Sequence, residues 1–125
     1  MSLDAIGVVC EDIESSIAFY GLLGVDFKVS GEGHYEAVTP GGIRLMLDTV
    51  VLIKSINPHW KKPTGSSVIL CFKQESVEAV DACYQMMIAA GAKGQKEPWD
   101  AFWGQRYACV YDPDGHQVDI FADAL

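Results

Sequence analysis

The run Thr39-Pro40-Gly41-Gly42-Ile43-Arg44-Leu45-Met46 lies in register over Asp112-Pro113-Asp114-Gly115-His116-Gln117-Val118-Asp119 near the end of the chain. In both, a Pro- and Gly-bearing turn leads into a strand of alternating character. What precedes each turn repeats too, so each half reads as strand, helix, then three strands. This internal repeat constrains the fold more than any other feature. Each copy has an amphipathic helix whose apolar stripe needs a sheet face to cover. That excludes an all-helical bundle and a doubly wound parallel sheet, and predicts an α+β fold of two βαβββ modules.

Residues 3–10 are apolar and β-branched and predict the first strand. Asp12 is placed to cap a helix carrying Ile13, Ile17 and Tyr20 at helical spacing, with Gly24 as its stop. Strands are expected at Val25–Ser30, His34–Thr39 and Ile43–Asp48, with Gly31-Glu32-Gly33 a turn between the first two. The pattern restarts with a strand at Ser66–Phe72, an N-cap at Ser76 and an apolar stripe from Val77 to Ile88 that ends at Gly91. A closing hairpin pairs Tyr107–Tyr111 with Gln117–Phe121. The chain is read as one domain over 1–125: module one 1–49, a linker at 50–65 containing Pro58, Pro63 and Gly65, and module two 66–123.

The 9 basic and 17 acidic residues give a net charge of −8, which argues against nucleic acid and against an anionic membrane surface. No basic leader precedes an apolar stretch, and no uncharged apolar run approaches about 18 residues, so a cytoplasmic location is expected. Cys10, Cys71, Cys83 and Cys109 form no C-x-x-C pair; Cys10, Cys71 and Cys109 lie in apolar runs and read as buried structural thiols. His34, His59 and His116 read as surface or turn residues. No H-E-x-x-H, nucleophile-elbow or phosphate-loop pattern is present.

The run Phe102-Trp103-Gly104-Gln105-Arg106-Tyr107-Ala108, followed by Asp112-Pro113-Asp114-Gly115 and Val118-Asp119-Ile120-Phe121, resembles the C-terminal half of a glyoxalase/bleomycin-resistance domain. This is the vicinal oxygen chelate superfamily. The opening strand and the Asp12–Gly24 segment, with Ile17-Ala18-Phe19-Tyr20, resemble its first module. The resemblance implies that two modules join their sheets into a cupped mixed sheet with helices outside.

It also implies where enzymes of this superfamily place a metal centre: His on a module's first strand and Glu on its last. On that register the first-strand positions are Ala5 and Ile69 or a neighbour within Ser67–Leu70, and the last-strand positions are Met46 and Asp119. Of these only Asp119 is a donor, so no metal and no cofactor is expected.

Strand alternation divides the remaining residues into two faces. Tyr107, Cys109, Tyr111, Val118 and Ile120 are expected against the helix, as are Ile43, Leu45 and Leu47 in module one. The opposite face, with Trp103, supplies the expected ligand site: Tyr35, Met46, Asp48, Trp103, Arg106, Asp119 and Phe121. Aromatic walls with acidic groups suit a flat or cationic small molecule. The expected function is a metal-free binding protein resembling those that sequester bleomycin-type antibiotics. The alternative is a glyoxalase-related lyase, isomerase or dioxygenase with a rearranged or lost metal site; a metal-free isomerase would use Asp119. A twofold homodimer is implied by the same resemblance.

Overall fold

Each half of the chain pairs its first strand in parallel with its last, and hangs the two intervening strands antiparallel on the far side. The computed structural model describes residues 1–65 and 67–124, and divides into two units, Met1–Pro63 and Thr64 onward. The first contains β1 (Ala5–Cys10), α1 (Ile13–Leu22), β2 (Lys28–Gly31), β3 (His34–Val38), β4 (Arg44–Thr49) and α2 (Val50–Ile56). The second contains β5 (Leu70–Lys73), α3 (Val77–Ala89), β6 (Lys93–Ala101), β7 (Gln105–Tyr111) and β8 (Gln117–Asp123). The strand orders are β1-β4-β3-β2 and β5-β8-β7-β6, the same topology twice. The α+β class and the two four-stranded mixed sheets are as the sequence predicts.

The capping residues act as expected. The Asp12 carboxylate accepts the backbone N–H of Glu14 at 3.1 Å and of Ser15 at 3.3 Å, satisfying donors at the start of α1. Ser76 does the same for Ala79 at 3.1 Å. The turn at Gly31-Glu32-Gly33 is tight for a stated reason. Gly33 has φ +73°, and a Cβ there would come within 2.6 Å of Thr49 Oγ1.

Three boundaries differ from expectation. The stretch 50–65 opens with α2, whose N-cap Thr49 accepts the Leu52 amide at 3.2 Å. Val50, Val51 and Ile53 are weak helix formers, so the Thr49 cap supplies a start signal that the β-branched run obscures. The strand expected at Ser66–Phe72 begins only at Leu70; Ser66 lies outside the described residues. Val25 and Phe27 precede β2 and are buried, while all of β2 is exposed. Their apolar character reports core packing, not strand.

In the first sheet Val8, Cys10, Ala37, Leu45 and Leu47 are buried and, by the strand register, share one face. Phe19 and Tyr20 of α1 complete this core. Tyr35 pairs directly with Leu47, and opposed residues of an antiparallel pair point the same way. Tyr35 therefore stands on the core side, not on the ligand side the sequence suggested.

The second sheet carries a larger correction. Tyr107 pairs with Phe121, Cys109 with Asp119 and Tyr111 with Gln117, so odd-numbered residues of β7 and β8 share a face. Ala108, Val110, Val118, Ile120 and Ala122 form the other face, each at most 1% exposed. Arg106 stands on that side as well, its guanidinium donating to Asp81 of α3 at 2.9 and 3.2 Å. Tyr107, Cys109 and Tyr111 thus face away from the helix and Arg106 faces it, the reverse of the expectation for β7. The small residues Ala108 and Val110 allow α3 to pack close, and the tyrosines are too long and too polar at their tips for that space.

Replacement of Ile120 by Ala is expected to cost about 2–5 kcal/mol in urea unfolding, because it opens a cavity beneath α3. Arg106→Gln should cost about 1 kcal/mol or less, as befits a partly exposed ion pair. If Arg106→Gln abolishes ligand binding while stability holds, the guanidinium belongs to the opposite face and this register is wrong.

Candidate functional site

The two helix-free faces have different chemistry. On the first sheet, register places Ala5, Gly7 and Val9 beside Arg44, Met46 and Asp48, with His34, Glu36 and Val38 beyond them. Both ring nitrogens of His34 meet carboxylates: Nδ1 contacts Asp48 Oδ1, and Nε2 lies 2.6 Å from Glu36 Oε2. Arg44 donates to Glu36 Oε1 at 2.5 Å and to Asp4 Oδ2 at 2.8 Å. Asp48 first, and then Glu36, push the His34 pKa above its usual 6.5. His34 and Arg44 in turn hold Glu36 below the usual carboxylate range. A ring whose nitrogens both face carboxylates is satisfied only as the imidazolium, which has two N–H donors. Of this group only Asp48 is marked in the sequence; His34 reads there as a surface or turn residue and Glu36 carries no signal.

On the second sheet the helix-free face centres on Asp119, which is 4% exposed. The Tyr107 hydroxyl donates to Asp119 Oδ2 at 2.6 Å and the Gln117 amide to Oδ1 at 2.9 Å. The Cys71 thiol lies 3.8 Å from the Tyr107 oxygen and 4.0 Å from Oδ2. Burial, reinforced by the bond to Asp119, drives the Tyr107 pKa upward, so the phenol stays protonated and donating. Burial also pushes the Cys109 thiol up to about 12. Cys71 is exposed, contrary to its apolar sequence context, and burial of its thiol raises its pKa as well.

Aromatic rings gather on the tyrosine that holds this carboxylate. Tyr107 stacks on Phe121 with centroids 5.8 Å apart and an interplanar angle of 24°. Trp99 and Trp103 meet Tyr107 edge-on at 5.4 and 5.3 Å. Trp103 is 48% exposed and its Nε1 donates to Gln105 at 2.8 Å. Of the residues proposed from sequence, the structure brings together Trp103, Asp119 and Phe121 on the second sheet, and Met46 and Asp48 on the first. Tyr35 and Arg106 lie on the helix sides. Tyr107 and Trp99 belong to the aromatic group; the misassigned parity of β7 hid the first.

The donor set of the superfamily's metal centre is not present on either sheet. The strand neighbours of Met46 and Asp119 are Gly7 and Cys71, not Ala5 and Ile69, and neither first strand offers an imidazole there. Among the described residues, three donor atoms approach within 4.8 Å only at Asp112, Asp114 and His116. Those serve the β7–β8 turn: Asp112 Oδ1 accepts the amides of Asp114 and His116, each at 2.9 Å, and Oδ2 meets His116 Nδ1 at 2.7 Å. The residues do not fit the group. No described helix is long and apolar enough to cross a membrane.

Residues 2–120 match the family model for the glyoxalase/bleomycin resistance protein/dioxygenase superfamily. The chain belongs to that superfamily. Among proteins with curated descriptions none matches it. Solved structures of superfamily members share its fold. A glyoxalase/bleomycin resistance protein/dioxygenase family enzyme from Burkholderia phytofirmans superimposes with a TM-score of 0.88 at 21% identity, over 98% of this chain and 99% of that one. A glyoxalase-related enzyme from Fulvimarina pelagi gives 0.85 at 20% identity, over 98% and 88%. A glyoxalase/bleomycin resistance protein/dioxygenase from Nocardioides gives 0.78 at 24% identity, over 98% and 83%.

The pH dependence of the first sheet follows from His34. Its pKa is raised on folding, so its stabilising contribution is complete below the unfolded value of about 6.5 and is lost as pH rises through the higher folded value. The melting temperature of wild type should therefore exceed that of His34→Gln by most in mildly acidic solution, and the gap should narrow on the alkaline side. An imidazole titration of His34 by NMR with a midpoint below 6.5 would contradict the clamp.

Proposed function

We propose that this chain is a binding protein for a planar small molecule, held on the helix-free face of its second sheet. The observation that carries the proposal is the ring group of Trp99, Trp103 and Phe121 gathered on Tyr107, whose hydroxyl is held by one buried carboxylate. The half-exposed Trp103 offers a π face to an incoming ring. Asp119, already engaged by Tyr107 and Gln117, fixes the tyrosine's orientation from beneath and so preorganises the stacking surface. Stoichiometric sequestration of the bleomycin-resistance kind asks for no more than such a surface, because retention needs contacts and no reacting group.

A second reading, a lyase, isomerase or dioxygenase, draws support from the structural neighbours described as enzymes. Within the second sheet it would require Asp119 to take a proton from substrate. Its oxygens, however, are occupied by hydrogen bonds from Tyr107 and Gln117 and lie almost entirely out of solvent. That favours the orienting role over the basic one.

Titration of intrinsic tryptophan fluorescence with a panel of planar compounds should show quenching that saturates near one ligand per chain. Trp103→Ala should weaken it about fivefold to tenfold, the worth of one aromatic contact of about 1 kcal/mol. Tyr107→Phe should both loosen binding and destabilise the fold by about 1–3 kcal/mol, since it removes a donor from a buried carboxylate. Turnover of a small ketone or diol that disappears in Asp119→Asn would replace this function with the enzymatic one.

A further inference from the structure

We infer that the ligand of the second sheet is a planar aromatic acid, recognised through the ammonium group of Lys96. This inference rests on the stacking surface proposed above and assigns the charge of its occupant. A flat or cationic ligand is what the sequence suggests; the placement of charge on the folded face points away from a cation.

Three observations carry the assignment. First, β6 does not run regularly. Its register against β7 shifts between Gly94 and Lys96 and again between Lys96 and Trp99. Lys93 pairs with Tyr111 and Lys96 with Cys109, so the first irregularity turns an even-numbered lysine onto the same helix-free face as an odd-numbered one. In an unbroken strand, alternation would send Lys96 to the side of α3.

Second, both ammonium groups are held on rings of that face and not by acids. Lys96 Nζ sits 4.1 Å from the Trp99 centroid, and Lys93 Nζ sits 5.9 Å from that of Tyr111. Neither has a carboxylate within ion-pair distance among the described residues. Of the nine bases, Lys28, Lys62, Lys73, Arg44 and Arg106 have an ion-pair acid among the described residues. Lys54 and Lys61, which also lack one, belong to the first unit and not to this face. A ring attracts a cation without neutralising it, so the Lys96 ammonium keeps its charge and its three donors for an incoming anion.

Third, the acids on this face are not free to answer a cation. Asp119 is buried and takes hydrogen bonds from Tyr107 and Gln117, whereas Lys96 is exposed. Asp123, which register places on the same face, is paired with Lys73 at 2.9 Å. The net charge of −8 opposes an anion only weakly, because charges farther than about 8 Å from the site are screened at physiological salt. Local charge decides, and locally the accessible charge is positive.

The test uses probes with one ring system and different charge. 2-Naphthoate, 2-naphthylmethylammonium and neutral 2-naphthalenemethanol are titrated by calorimetry into wild type, Lys96→Met and Lys96→Arg. Wild type should bind naphthoate about tenfold more tightly than the ammonium compound, equivalent to about 1.4 kcal/mol. Lys96→Met should erase that preference and Lys96→Arg should retain it. The preference in wild type should also shrink as salt is raised. Equal binding of all probes, or naphthoate binding unchanged in Lys96→Met, overturns the acid assignment and leaves the stacking surface standing. Tighter binding of the ammonium compound overturns it in favour of a cationic ligand. If no probe binds wild type at millimolar concentration, the stacking surface itself fails and the acid assignment falls with it.

Discussion

The turn held by Asp112 sets the side on which every later side chain stands. Its carboxylate gathers the amides of Asp114 and His116, while its backbone N–H donates to the His116 carbonyl at 2.8 Å and its carbonyl accepts the Gly115 amide at 3.0 Å. Five residues are thereby locked between Tyr111 and Gln117, and this closure makes odd numbers pair with odd. A loop one residue shorter or longer would invert β7 relative to β8. The aromatic face, the buried carboxylate and the packing of α3 all depend on a parity fixed by this one side chain.

Much of the fold is legible in the sequence because its signals are local. Asp12 and Ser76 announce helices through their own side chains, and the Pro-Gly turns announce hairpins wherever they occur. Register is not local. The pair Tyr107–Phe121 depends on the length and closure of a loop between them, and hydropathy alone assigns Tyr107 inward and Arg106 outward. Both residues are amphipathic: the tyrosine turns its ring to other rings and its hydroxyl to Asp119, and the arginine reaches along the sheet to an acid on α3. Parity was therefore misassigned at the residues whose chemistry matters most. The site was legible in part: Asp119, Phe121 and Trp103 stand out, whereas Lys96 is hidden because a bulge, which no alternation pattern registers, places it.

The two modules share topology and differ in what they display. On the first helix-free face an imidazolium and a guanidinium interleave with acids, so charges are consumed among themselves. On the second, rings replace that network and the remaining charge is left uneven. Repetition of a scaffold thus leaves the two faces free to diverge, since the core on the opposite side of each sheet carries the folding. This division also explains why the residues under α1 and α3 are mostly apolar, with Arg106 as an exception, while their counterparts across the strand vary.

Strand β6 carries a consequence of a different kind. It is the outer strand of its sheet, and an outer strand invites a second chain to extend the sheet by hydrogen bonding. Here Pro98 has no N–H to donate, two irregularities break the spacing, and lysines punctuate the strand. The opposite rim, β5, is only four residues long. A stranger's strand finds no uninterrupted ladder on either side, so the same bulge that aims Lys96 also protects this half of the molecule from growing into fibres.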